Sequence, residues 1–204
     1  MANKNKKTII FDLDGTLSNF EEIDHKIIDL IYGNFKFVMF IDKLLWSINR
    51  LEILKNTFFI LKVRLFIYSI LSRKRAQKCM DLYKIEYFSR TYASLKYNYE
   101  NYLKELMKKY RVRIISNNMF AKGLEYGKVK VICNTSKVRH IRYLRRRHNI
   151  AFVIGNNLLD DVFSANLLNI SSIYIGKNSF VKLFANKNYK KIEEAFYYLI
   201  QKSD

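Results

Sequence analysis

Nine residues near the start of the chain, Ile9-Ile10-Phe11-Asp12-Leu13-Asp14-Gly15-Thr16-Leu17, constrain its fold more than any other stretch. A short apolar run that ends at a glycine turn reads as a buried parallel strand over 7–13. Residues i and i+2 of a strand share a face, so Asp12 and Asp14 start out pointing the same way. They do so at the carboxyl end of the strand, where open α/β sheets bind their ligands. Two carboxylates this close repel unless a cation or a proton lies between them. Mg²⁺ meets that need because it takes hard oxygen ligands. The pattern suggests one carboxylate as nucleophile, the second as acid/base, and a metal bridging them to a phosphate.

The rest of the chain divides in two. From about Ser18 to Lys108 nothing reads as strand and turn. Ile27, Ile28 and Ile31, then Leu44, Leu45, Ile48 and Leu51, recur at helical spacing, which predicts three or four helices. After Lys108 strands and helices alternate. Strands are expected at Arg111–Ser116, Lys128–Cys133, Ala151–Gly155 and Ser171–Ile175. Helices are expected at Ser136–His148, Asp160–Leu168 and Tyr189–Gln201. Alternation of this kind implies a parallel sheet with helices on both faces. The expected architecture is therefore α/β: a Rossmann-like three-layer core from 1–17 and 109–204, with an inserted all-helical domain over 18–108.

Composition limits the function classes. Half of the 204 residues are hydrophobic, so the chain is globular rather than disordered. It contains no proline, which favours long helices. Cys79 and Cys133 show no metal-binding spacing and fit a reduced, cytoplasmic setting. No secretory signal is expected at the basic start. Thr57–Leu71 is apolar but interrupted by Lys62 and Arg64, too soon for a spanning helix. It reads as a buried helix of the insert, with an interfacial membrane helix as the alternative. The formal charge of +19 suits nucleic acid, an anionic membrane or anionic small molecules. A bias toward Lys, Asn, Ile, Tyr and Phe explains much of that charge. Arg73-Lys74-Arg75 and Arg145-Arg146-Arg147 exceed the bias. No nucleic-acid-binding motif is visible, so nucleic acid is not the expected partner.

FDLDGTL, residues 11–17, resembles the first motif of the haloacid dehalogenase superfamily of phosphohydrolases. The resemblance implies Mg²⁺ as cofactor, Asp12 as the nucleophile that takes up the phosphoryl group, and Asp14 as the acid/base whose main-chain carbonyl also binds the metal. Gly15 permits the tight turn and Thr16 helps fix it. A Ser or Thr at the end of the next core strand would bind a phosphoryl oxygen; Ser116 in RIISNN fits, with Asn117 bordering the same pocket. A lysine before the fourth strand would screen charge between nucleophile and phosphate. Lys137 matches that position, with Lys122, Lys128 and Lys130 as competitors and Arg139 close by.

The superfamily's fourth motif is acidic, commonly GDxxxD. Here it reads Gly155-Asn156-Asn157-Leu158-Leu159-Asp160-Asp161. Asn156 stands where the first acid is expected, and Asp160 matches the second, with Asp161 one residue on. The metal set implied is Asp12, Asp14, Asn156 and Asp160. A neutral amide in place of a carboxylate weakens the hold on a hard cation. An all-helical insert between the first two motifs is similar to the cap of the phosphoserine-phosphatase-like group. In that group a glutamate near the spacing of Glu21 contacts the substrate amine, and Glu22 is the neighbouring candidate. His25, His140 and His148 do not cluster, and the aromatic residues read as packing. Carbon–halogen hydrolases of the same superfamily lack the acid that Asp14 supplies. The expectation is a Mg²⁺-dependent phosphomonoester hydrolase acting on a small anionic metabolite. A non-catalytic phospho-ligand or partner-binding relative and a membrane-peripheral lipid-phosphate phosphatase are the alternatives.

Overall fold

The computed structural model describes residues 6–19, 73–127, 129–133 and 136–202, together with isolated helical positions between 22 and 70. About half of the segment expected to form the helical insert, including Glu21 and most of Thr57–Leu71, lies outside the described residues. No helix among the described residues is long and apolar enough to cross a membrane.

Among the described residues, seven strands form one sheet. They are β1 (Thr8–Asp12), β2 (Arg111–Ser116), β3 (Glu125–Tyr126), β4 (Val129–Cys133), β5 (Ile150–Gly155), β6 (Ser171–Ile175) and β7 (Lys187–Tyr189). Their order across the sheet is β3-β4-β2-β1-β5-β6-β7. Every pairing is parallel except β3 with β4. The α/β core expected from the alternation thus forms, with the first strand at its centre. All five residues of β1 are buried, as both faces of a parallel sheet must be.

The two faces of β1 belong to two cores. Ile9 and Phe11 pack with Leu13 against the long helix α1 (Arg73–Lys109) and the closing helix α5 (Ile192–Gln201). Ile10 points the other way, to Ile141 and Leu144 of α2 (Lys137–Arg145) and to Ala165 of the short helix α3 (Ser164–Leu167). This strand alternation builds the three layers. Burying each of these side chains stabilises the fold by roughly 2 kcal/mol.

At 1.5 Å per residue, α1 runs about 55 Å. The absence of proline permits that length. Tyr83, Tyr87, Leu95, Leu103 and Leu106 of α1 are buried in the same cluster as β1. The stretch from Tyr83 to Leu106, read from sequence as part of the insert, thus packs in the cluster that includes β1. Apolar periodicity marks a buried helical face without saying which element it buries against. On its outer side α1 carries Glu86–Arg90 and Glu100–Lys104 ion pairs one turn apart.

Two strands are absent from the expectation. β3 has two residues and forms the antiparallel edge. β7 takes Lys187–Tyr189 alongside β6, so the closing helix starts at Ile192 rather than at Tyr189. The helix expected from Asp160 begins at Leu158 as a π-helical turn (Leu158–Phe163) and continues as α3. A further one-turn helix, α4 (Ser179–Lys182), follows β6.

Candidate active site

The carboxyl ends of β1, β2 and β5 place Asp12, Ser116 and Gly155 around one point. After Asp12 the chain makes a tight turn, in which the Leu13 carbonyl accepts from Leu17 N and Ser18 N, both at 2.9 Å. Gly15 occupies it with φ +79, a conformation that L residues with side chains avoid. A Cβ there would also strike the side-chain amide of Asn156. The turn thus brings the first motif against the loop after β5.

Asp12 is 5% exposed. Lys137 Nζ, at the start of α2, donates to Asp12 Oδ1 at 2.5 Å and to Asp161 Oδ1 at 2.8 Å. Thr16 Oγ1 donates to Asp12 Oδ2 at 3.2 Å. Burial, with the charges of Asp161 and Asp14, outweighs the pull of Lys137 and leaves the Asp12 carboxyl pushed up to about 8. Burial alone would lower the Lys137 pKa, but Asp12 and Asp161 outweigh it and hold the ammonium above the ordinary lysine range.

Asp14 is held at both oxygens. Ser116 Oγ donates to Oδ2 at 2.6 Å and Tyr87 of α1 donates its hydroxyl to Oδ1 at 2.8 Å. Ser116 is itself oriented by the Asn118 N–H at 2.9 Å. Burial raises the Asp14 pKa, and the bonds from Ser116 and Tyr87 partly offset that rise. Tyr87, buried and beside two acids, is held well above the usual phenol range.

The loop after β5 resolves the acids of the fourth motif. Asn157 caps the π-helical turn, its side chain accepting from Leu159 N and Asp160 N. The wide turn carries Asp161 inward: it is 2% exposed and accepts from Asn157 N at 3.0 Å as well as from Lys137. A Cβ on Gly155 would collide with the Asp161 carboxylate, so only glycine leaves that space. Asp160 sits beside it and accepts from Asn117 Nδ2 at 3.0 Å. Burial raises the Asp160 pKa. Turns of this π type are frequent at functional sites.

Of the residues singled out from sequence, the structure brings together Asp12, Asp14, Thr16, Ser116, Asn117, Lys137, Asn156 and Asp160. Glu21 lies outside the described residues. Its neighbour Glu22 is exposed and paired with Lys26. Lys122 is exposed. Sequence reading missed Tyr87, which looks like one more aromatic in a helix rich in them. It also left open which of Asp160 and Asp161 serves the metal, and gave no sign that Asp161 meets Lys137.

Two buried carboxylates, Asp12 and Asp161, share one lysine, and the half-buried Asp14 and Asp160 are held beside them by Ser116 and Asn117. That crowding of acids fits a cation. Among the described residues no three acidic, histidine or cysteine side chains enclose a metal-sized point. The set that the resemblance implies is instead the Asp12 carboxylate, the Asp14 main-chain carbonyl and the Asn156 amide oxygen. Such a sparse set suits Mg²⁺, which keeps several waters and takes few protein ligands. Asn117 Oδ1 is a buried acceptor with no donor among the described residues, facing the same region as its Asp160-bound amide.

No family model and no curated protein matches the sequence. Solved structures do. The magnesium-bound haloacid dehalogenase hydrolase YfnB of Bacillus subtilis superposes with a TM-score of 0.67 at 14% identity, over 96% of this chain and 99% of its own. A haloacid dehalogenase phosphatase of Thermococcus onnurineus gives 0.55 at 18% identity, over 95% and 97%. The β-phosphoglucomutase of Clostridium difficile gives 0.54 at 14%, over 96% and 97%. Likeness at these identities is a likeness of fold. The sheet order, the acidic pair ending its central strand and these superpositions agree: this chain has the fold of the haloacid dehalogenase superfamily of hydrolases.

Proposed function

We propose that the protein is a Mg²⁺-dependent phosphomonoester hydrolase that works through an aspartyl-phosphate on Asp12. The observation that carries this reading is the Lys137 ammonium joining Asp12 to Asp161 beside an Asp14 held by Ser116 and Tyr87. A buried carboxylate next to a fixed cation is a nucleophile whose approach to an anionic phosphate is screened. An Asp12 oxygen bonds to phosphorus as the bond to the ester oxygen breaks. Asp14 passes a proton to the departing alkoxide. Water then attacks the phosphorus, giving its proton to Asp14, and phosphate leaves as the Asp12 carboxylate is restored. Ser116 and Asn117 bind phosphoryl oxygens, and Lys137 stabilises charge on them.

Asp12, the Asp14 carbonyl and Asn156 would hold Mg²⁺, with Asp160 acting from beside them. The metal would supply charge stabilisation on the transferring group. The substrate class is a small anionic phosphomonoester, drawn by the basic surface in a manner that salt weakens.

The test is hydrolysis of p-nitrophenyl phosphate with Mg²⁺, with a chelator, and by the Asp12→Asn variant. Turnover that needs Mg²⁺ and is lost in the variant supports the reading. A second reading, a non-catalytic binder of phosphorylated ligands, draws on the neutral Asn156. Absence of both turnover and Mg²⁺ binding would favour it.

A further inference from the structure

The exposed side of α2 carries charge of one sign only. Arg139, Arg142 and Arg145 are exposed on the helix, and Arg146 and Arg147 continue past its end. Among the described residues no carboxylate pairs with any of them. Arg142 has Arg139 and Arg145 three residues away and Arg146 four away. Like charges at these spacings destabilise a helix. Cations in the first turn also oppose the helix dipole, and α2 has no acid there. On α1, by comparison, Arg90 and Lys104 are each paired with a glutamate one turn away. Helix stability therefore does not account for the arginines of α2.

Two more arginines lie on the strand beneath α2. Arg111 and Arg113 alternate on β2 with the buried Val112 and Ile114, on the side where Ile115 packs with α2. Arg111 donates to His148 Nδ1 at 2.5 Å. Burial, then Arg111, Arg113 and Arg147, keep the His148 pKa below its ordinary value. An aromatic ring stands within this field. Tyr143 is 46% exposed, and the Arg147 guanidinium lies 4.4 Å over its ring.

Arginine presents a planar fork that suits phosphate, and an exposed tyrosine offers a face on which a base can stack. The apolar positions of α2, Ile141 and Leu144, are buried. The helix therefore has no exposed apolar stripe to enter lipid, as an interfacial helix requires. We propose that this arginine face with Tyr143 is a binding surface for single-stranded nucleic acid, separate from the phosphate pocket.

The test is fluorescence anisotropy with a labelled oligouridine, its DNA counterpart, a duplex of the same length, and vesicles of phosphatidylserine and phosphatidylcholine. Four phosphate contacts give a slope of about −3 in log affinity against log salt. Arg145, Arg146 and Arg147 replaced together by Gln should weaken single-strand binding at least about tenfold and reduce the slope by about 2. Tyr143→Ala should cost about tenfold on single strands and little on the duplex. A control with the exposed Lys84, Lys190 and Lys191 changed to Gln removes the same charge elsewhere. Equal loss in that control would reduce the effect to net charge and overturn the proposal. So would tighter binding to vesicles or duplex than to single strands, or no oligonucleotide binding at low salt. None of these variants touches the Asp12 pocket, so p-nitrophenyl phosphate hydrolysis, whatever its level, should be unchanged and reports folding and the hydrolase reading independently.

Discussion

Replacing Lys137 by methionine would leave two buried carboxylates facing each other without their shared cation. The side chains of Lys137, Asp12 and Asp161 are 6%, 5% and 2% exposed, so water cannot take over the lost bonds. Removing one partner of a buried ion pair typically costs 3–5 kcal/mol, about 4 here. For a chain of this size that lowers Tm by about 12 °C. The magnitude is limited because Asp12 can take up a proton and become neutral, a shift its burial already favours. Adding Asp161→Asn should recover about 2 kcal/mol, since an amide leaves no uncompensated charge. Single and double variants form a cycle that isolates this coupling. The assay is thermal and urea unfolding in chelator, so that no bound metal replaces the missing ammonium. A Lys137→Met loss below about 1 kcal/mol, or no recovery on adding Asp161→Asn, would refute the buried three-membered network.

The raised Asp12 pKa carries a sign. Its ordinary value is 3.8 and burial lifts it to about 8, so the folded state holds the proton more tightly. The associated stability is complete below the unfolded value and is lost as pH rises toward 8. In chelator, wild-type Tm should therefore fall relative to Asp12→Asn between those limits, and a constant difference across that range would contradict the burial argument. Tyr87→Phe removes a donor to Asp14 without changing shape; kcat on p-nitrophenyl phosphate should drop about tenfold with KM little changed. A rise in KM alone would place Tyr87 in substrate binding. Asn156→Asp should tighten Mg²⁺ binding about tenfold by calorimetry. If neither metal binding nor turnover moves, the neutral ligand is not what limits the site.

What the chain's own order determined is the part built from local pattern. Ile9–Leu17 declares a buried strand, an acidic end and a glycine turn within nine residues. Ser116 and Lys137 were legible through the resemblance, which implies a hydroxyl at the end of the next core strand and a lysine before the fourth. Only tertiary structure decided the rest. Tyr87 reaches Asp14 across 73 residues, a contact no periodicity records. Asp161 rather than Asp160 meets Lys137 because one π-helical turn rotates the acids, and an extra residue per turn leaves no trace in composition. β3 and β7 are too short to show alternation and exist because a neighbouring strand offers its edge. Tyr83, Leu95 and Leu103 bury in the cluster that includes β1, a placement the sequence leaves open because an apolar helical face does not name its partner. Sequence thus specified which chemical groups line up at strand ends. The packing of distant elements specified which oxygen each of them faces, because burial and hydrogen bonding act between residues far apart in the chain.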